Sequence, residues 1–274
     1  MTNTMPKNKS PLRYPGGKTR AVKILEKYIA PNTNTLLSPF LGGGSFEIAM
    51  HDRGLTVHAN DLFSPLATFW NIVKHRQRDL VARVRAYMPV SKEAFLDLRT
   101  RIPTFTDDLE IAAAYFVINR CSFSGSTFCG GFSAEAAEKR LTESSLMTLA
   151  TLDIHRMDVS NMDYAAFLDA HPDQDGTVIY ADPPYYIPTY IYGRDGDMHE
   201  GFDHRAFANK IKQRKNWILS YNDCPLIREL YANCRIIRES WSYGMDNGKK
   251  GSSEVVILPP SEEGSMASSP PNLG

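Results

Sequence analysis

The stretch LLSPFLGGGSFEIAMHDRGLTVHAND, residues 36–61, decides the fold. LLSPF (36–40) is a short apolar run of the kind that is buried on both faces of a parallel sheet. Gly42, Gly43 and Gly44 then make a tight turn into SFEIAMHD (45–52), whose pattern is helical, and TVHAN (56–60) predicts a second strand that ends at Asp61. Strand, glycine turn, helix and strand in so few residues predict an α/β protein built on a parallel sheet. The glycines also let a ligand approach the backbone at the positive end of a helix. An acid at the end of the next strand can accept hydrogen bonds from ribose hydroxyls. Gly42 and Asp61 together therefore point to a nucleoside-bearing cofactor at the carboxyl edge of the sheet, set against the plainer reading of a simple turn.

The pattern continues outward in both directions. KTRAVKILEKYI (18–29) predicts one helix with Val22, Leu25, Tyr28 and Ile29 on a common face, stopped by Pro31. Residues 1–10 are polar and read as a flexible N-terminus. SPLATFWNIVKH (64–75) opens with a Ser-Pro helix start. Over 76–150 the rhythm changes to the helical periods of RDLVARVRAYM, SKEAFLDLRTR and DDLEIAAAYFVINR, followed by the Ser- and Gly-rich CSFSGSTFCGGFS (121–133). This predicts an inserted, mostly helical subdomain. Strand signals return in DIHRM (153–157), TVIYAD (177–182), NWILSY (216–221), RIIRES (235–240) and EVVILP (254–259). Residues 11–75 and 151–260 thus form the sheet domain, and 261–274 read as a disordered tail.

With 274 residues, 42% hydrophobic and 23% charged, the composition is that of a globular protein with a sizeable core. It excludes collagen-like, largely disordered and disulfide-scaffold proteins. No apolar run approaches the roughly 20 residues that cross a bilayer, and the first residues lack a secretory apolar stretch. Cys121, Cys129, Cys224 and Cys234 show no C-x-x-C pairing, so neither a zinc site nor a disulfide framework is expected. The expectation is a soluble cytoplasmic protein. Its zero net charge conceals segregation: 16 Lys/Arg against 7 Asp/Glu in 1–101, 5 against 17 in 102–204, and 10 against 7 beyond. A basic face tracking a polyanion is one consequence, and ordinary solvated helix faces are the other.

Two further motifs carry chemistry. Asp182-Pro183-Pro184-Tyr185 follows the strand TVIYA. Two prolines stiffen the backbone, so the carboxylate and a main-chain carbonyl can form a fixed pair of acceptors for one NH₂ group. The Tyr185 ring offers a stacking plate for a planar base, worth about 1–3 kcal/mol. The second motif, Arg13-Tyr14-Pro15-Gly16-Gly17-Lys18, ends in GGKT. A phosphate-binding loop would need glycine where Leu12 stands, so an ATPase is excluded.

With these pieces in order, the chain resembles the Dam-type, D12 class DNA adenine-N6 methyltransferases. The resemblance runs through YPGGK (14–18), SPFLGGGS (38–45), HANDLFSPLATFWNIVK (58–74), FVINRCSFSG (116–125), DPPY (182–185), WILSYND (217–223) and SSEVVIL (252–258). It implies a Rossmann-like S-adenosylmethionine-dependent methyltransferase whose inserted subdomain recognises the target. By position, Tyr14, Lys18, Phe40, Gly42 and Gly44 would line the donor pocket, and Asp61 would hold the ribose. Asp158, with Asp153 and Asp163 close by, would lie near the donor's adenine, and Asp182 beside donor and target alike. The catalytic group would be Asp182, Pro183, Pro184 and Tyr185, acting on an adenine flipped out of double-stranded DNA without a metal. Asn119, Arg120, Ser124 and Arg194 would contact DNA, although a helix-end Arg120 paired with Asp107 or Glu110 fits the sequence equally well. GSTFCGGFSAEAAEKR departs from the family's basic hairpin, so recognition of GATC does not carry over. Adenine in RNA, a glutamine amide in protein, or an idle DNA-binding protein are the competing readings. A restriction partner and the oligomeric state are not readable from the chain.

Overall fold

The computed structural model describes residues 8–186, 201–239 and 254–260. Seven strands form one sheet in the order β3-β2-β1-β4-β5-β7-β6. The strands are β1 (Thr35–Ser38), β2 (Thr56–Asn60), β3 (Met157–Ser160), β4 (Thr177–Ala181), β5 (Trp217–Asn222), β6 (Arg235–Glu239) and β7 (Glu254–Leu258). The first five are parallel, and β7 runs antiparallel between β5 and β6. Strand order reverses between β1 and β4. In a parallel sheet this opens a crevice beyond the carboxyl ends of those two strands. The glycine turn follows β1 and the DPPY tetrapeptide follows β4, so the topology alone brings the two motifs together.

Side-chain alternation splits the core into two layers. Leu36, Val57, Val178, Tyr180 and Val256 face one layer, and Leu37, Ile179, Ala181, Leu219 and Ile257 face the other. The first layer is covered by α1 (Val22–Leu25), α2 (Ser45–Asp52), α3 (Ser64–His75), α4 (Gln77–Ala86), α5 (Lys92–Arg101), α6 (Asp108–Cys121), α7 (Ala134–Arg140) and α8 (Glu143–Thr151). The second is covered by α9 (Tyr164–Ala170), α10 (His204–Ile211) and α11 (Pro225–Leu230). Among the described residues no helix is long and apolar enough to cross a membrane.

Helices α4–α8 are inserted in sequence but merged in space. Helix α6 is buried on every side from Ala112 to Asn119 and packs on α3, where Phe69 and Phe116 stack with centroids 5.8 Å apart. One hydrophobic cluster runs from the sheet through α3 into α6.

Three sequence expectations differ from the structure. Residues 18–29 are not one helix but a 3-10 turn (Lys18–Arg20), the single turn α1 and a second 3-10 turn (Glu26–Tyr28), although Val22, Leu25 and Ile29 are buried as expected. DIHRM does not form a strand: Met157 N–H bonds back to the Ile154 carbonyl in a turn, and β3 begins only at Met157. Residues 8–10 of the stretch expected to be flexible are fastened, Asn8 to Asp52 and the Ser10 hydroxyl to the Gly43 carbonyl. The tail 261–274 lies outside the described residues.

Part of the segregated charge is paired across the fold. Cations of the first third pair with acids of the middle third: Lys18 with Asp182, Lys74 with Asp158, Arg83 with Glu110 and Arg85 with Glu143. If the insertion shares the sheet's core, Phe116→Ala will destabilise the whole molecule by about 3–5 kcal/mol. A single denaturation transition by both far-UV circular dichroism and tryptophan fluorescence is expected. Two separate transitions would show an insertion that folds on its own.

Candidate functional site

The glycine turn is packed from both sides. Gly44 holds φ +67°, a left-handed conformation that costs a side chain energy, and caps α2. A Cβ on Gly43 would lie 2.7 Å from the Tyr14 Cβ, so the close approach of Tyr14 requires a glycine there. Below the turn, Trp70 Nε1 donates to the Gly42 carbonyl (3.1 Å). Asp61 accepts the Gly42 N–H on Oδ2 (2.9 Å) and the Phe63 N–H on Oδ1 (3.0 Å). Burial pushes the Asp61 carboxyl up, and these two backbone donors oppose the shift.

At the end of β4, Asp182 Oδ2 lies 2.8 Å from Lys18 Nζ. The same ammonium donates to the Tyr185 hydroxyl (2.8 Å) and the Gly16 carbonyl (3.1 Å). Lys18 is 5% exposed and Asp182 23%, so a buried ammonium meets a partly buried carboxylate, with its three protons directed at acceptors. Asp182 Oδ1 is buried and has no hydrogen-bond partner among the described residues. Burial raises the Asp182 carboxyl and Lys18 opposes the rise. Two more acids lie close: Glu254 Oε2, heading β7, is 3.9 Å from Lys18 Nζ, and Glu47 in α2 accepts from the Ser38 hydroxyl (2.7 Å). Burial, with Asp182 nearby, pushes the Glu47 carboxyl up to about 7. Tyr185 is half-buried, with Tyr221 6.2 Å away ring to ring and Lys18 Nζ 5.0 Å from its centroid.

The structure thus brings together Tyr14, Lys18, Gly42, Gly44, Asp61, Asp182, Pro183, Pro184 and Tyr185 at the crevice. Phe40, following β1, packs with Tyr164, Phe202 and Phe207 at the edge of the second layer. Asp158 is not part of the group. The later start of β3 puts it within the edge strand, opposite His58, with its exposed carboxylate on Lys74 (2.5 Å). Asp163, beyond the end of β3, instead caps α9 through the Ala165 N–H.

Two residues expected at DNA have structural work. Asn119 is fully buried: its Oδ1 accepts the Arg13 N–H (2.9 Å) and its Nδ2 donates to the Arg13 carbonyl (2.7 Å). Arg120 donates to the carbonyls of Arg140 (2.7 Å) and Pro11 (3.2 Å), not to Asp107 or Glu110, and burial lowers its pKa to about 10. Ser124 sits in the adjoining loop at φ +54°, next to Phe123, which is 68% exposed. Arg194 and the loop 192–200 lie outside the described residues. The sequence reading missed Glu47 and Glu254. Each is an acid set into an otherwise apolar run, SFEIAM and EVVIL, and that pattern was the available signal.

Glu47 binds a proton in the folded state that the unfolded chain releases above its ordinary value of 4.5. Its contribution is therefore fully present at acid pH and lost as pH rises toward the folded value. Relative to Glu47→Gln, the wild type will lose about 3 kcal/mol of stability between about pH 5 and 8. Chemical denaturation across that range reads the difference, and parallel pH profiles would contradict it.

Comparison with known proteins agrees with this geometry. Residues 14–245 match the family described as D12 class N6 adenine-specific DNA methyltransferase. The chain is 27% identical over 239 residues to the DNA N-6-adenine-methyltransferase of Escherichia phage P1, covering 81% of this chain but only 31% of that protein. It is 26% identical over 291 aligned positions to the Type II methyltransferase M1.LlaDCHI of Lactococcus lactis subsp. cremoris, covering 93% of this chain and 98% of the relative. A solved glycopeptide N-methyltransferase, MtfA, complexed with S-adenosyl-L-methionine overlaps 95% of this chain and 99% of its own at 8% identity, with a TM-score of 0.37. At that score the overlap bears on neither fold nor chemistry. The match over most of its length, with the glycine turn and DPPY meeting at one crevice, places the chain in the D12 class N6 adenine-specific DNA methyltransferase family.

Proposed function

We propose that this chain methylates the exocyclic amino group of an adenine flipped out of double-stranded DNA, with S-adenosylmethionine as donor, in the cytoplasm. The observation that carries the reading is the state of Asp182: one carboxylate oxygen is held by a buried lysine, and the other is buried with no hydrogen-bond partner among the described residues. A buried acceptor without a donor is costly, and an amino group of the substrate would satisfy it.

The crevice fits the donor in two respects. Gly42 keeps a partly accessible backbone while Gly43 and Gly44 are buried against Tyr14 and Trp70, and Asp61 keeps a second lone pair on each oxygen for ribose hydroxyls. The donor, when bound, supplies an electrophilic sulfonium methyl. The chain's own residues do the rest. Lys18 fixes the Asp182 carboxylate, and Asp182 Oδ1 with a carbonyl of the Pro183–Pro184 corner accepts the two amino hydrogens, which directs the nitrogen lone pair away from the ring. Tyr185 supplies a ring against the base, and Phe40 and Tyr14 border the donor side. The acceptors need no rearrangement during the reaction, which is where preorganised sites gain rate.

A base held in this crevice must leave the duplex, because its amino group is otherwise paired. The loop carrying Phe123 and Ser124 adjoins the crevice through Arg13, whose guanidinium donates to the Ser122 carbonyl (3.1 Å). Phe123 is an exposed apolar ring of the kind that fills a gap in a base stack, so we place the DNA on this side.

Two variants separate the proposed roles. Asp182→Ala will lower methyl transfer to duplex DNA about a hundredfold or more while leaving donor affinity by calorimetry nearly unchanged. Asp61→Ala will weaken the donor by about 1.5–3 kcal/mol. Near wild-type transfer by Asp182→Ala, or label entering RNA or protein in preference to duplex DNA, would overturn the reading.

A further inference from the structure

The opposite, amino edge of the sheet holds a second cluster. His51 stands in the last turn of α2, and Asp153 and His155 lie in the turn that leads into β3. One ligand atom from each of the three, a ring nitrogen or a carboxylate oxygen, can be chosen so that all lie within 4.8 Å of one another. His51 is only 2% exposed, yet neither of its ring nitrogens has a hydrogen-bond partner among the described residues. Its ring meets that of His155 edge-on at 5.0 Å between centroids. A buried imidazole that makes no hydrogen bond among the described residues is unusual, because a desolvated polar atom without one is costly; the nearest carboxylate to Nδ1, from Asp52, lies just beyond hydrogen-bond distance.

The surroundings hold this arrangement in place. Asn8 bridges both arms, its N–H to Asp52 Oδ2 (2.9 Å) and its Oδ1 accepting from the Asp153 N–H (3.2 Å). His155 Nδ1 lies 2.7 Å from Asp153 Oδ1. Asp52 Oδ1 stands 3.6 Å from His51 Nδ1. Arg156 faces the cluster from the other side, with Nη2 donating to the His51 carbonyl (2.7 Å) and Nη1 3.2 Å from His155 Nε2. The carboxylates of Asp52 and Asp153 offset that cation.

We propose that His51, Asp153 and His155 bind one divalent transition-metal ion, with zinc as the ion their chemistry suits, and so clasp the end of α2 to the approach to β3. Two imidazoles and one carboxylate are a three-ligand zinc set that leaves a position for water. Zinc at about 2.0–2.2 Å from each donor needs ligand atoms about 3.3 Å apart. Asp153 and His155 are exposed and can rotate inward by that amount, while buried His51 stays fixed. The site is distinct from the crevice of Asp182, which lies beyond the carboxyl ends of the strands, and takes no part in methyl transfer. It departs from the sequence expectation of no zinc, because its ligands are about a hundred residues apart and form no spaced motif.

The test is titration of the full, chelator-treated chain with zinc chloride by calorimetry, with cobalt(II) as a spectroscopic probe. Wild type will bind one equivalent, and the surface variants His155→Ala and Asp153→Asn will each weaken it at least about tenfold. Their circular dichroism will stay native, which separates lost ligation from lost folding. The cobalt form will show ligand-field bands without thiolate charge transfer. No binding by wild type, equal affinity in both variants, or a thiolate band from exposed Cys129 would overturn the proposal.

Discussion

A single buried ammonium organises the crevice between the glycine turn and the DPPY corner. Lys18 directs its three protons at Asp182, Tyr185 and the Gly16 carbonyl, and lies within 3.9 Å of Glu254. A buried ion pair is stable only when its remaining hydrogen bonds are satisfied, and here they are on the lysine's side. The consequence falls on Asp182: one oxygen is committed and the other has no hydrogen-bond partner among the described residues. The pair also joins the N-terminal segment to the ends of β4 and β7, which lie far apart in the chain. With Glu47 added, several acids crowd one cation, and burial with Asp182 nearby pushes the Glu47 carboxyl up to about 7.

The same N-terminal segment connects the crevice to the inserted helices. Asn119 of α6 grips the backbone of Arg13 on both sides, and Gly125 leaves room for the Arg13 side chain. The next residue, Tyr14, lies on Gly43, and the turn it covers is bonded to Asp61. A displacement of the loop 122–131 would therefore reach the glycine turn through two consecutive residues. The insertion has little freedom to move as a separate body, because α6 shares its core with α3 and the sheet.

Local chemistry made much of this readable from the chain. The bounds of α2, β2 and α3 coincide with SFEIAMHD, TVHAN and SPLATFWNIVKH, because glycine turns and Ser-Pro starts act over a few residues. The meeting of GGGS with DPPY was legible once the strands were called parallel. What stayed hidden depends on contacts distant in sequence. Asn119 reads as a DNA contact until Arg13 is placed against it, and Lys18 reads as a donor-pocket residue whose pairing with Asp182 and Tyr185 appears only once the fold is formed. DIHRM has two apolar residues, Ile154 and Met157, that are buried from a turn rather than a strand. The charge segregation left a basic face and solvated helix faces both open, and pairs such as Lys74–Asp158 and Arg85–Glu143 cancel part of it across the fold.

The central claim is that Asp182 presents a free acceptor to the amine being methylated. A crystal structure with sinefungin, whose amine replaces the donor's methyl-bearing sulfonium, tests it most directly. The account predicts Asp182 Oδ1 within hydrogen-bond distance of that amine, with Oδ2 still on Lys18. An inhibitor seated elsewhere, or an Asp182 turned away from its amine, would contradict it.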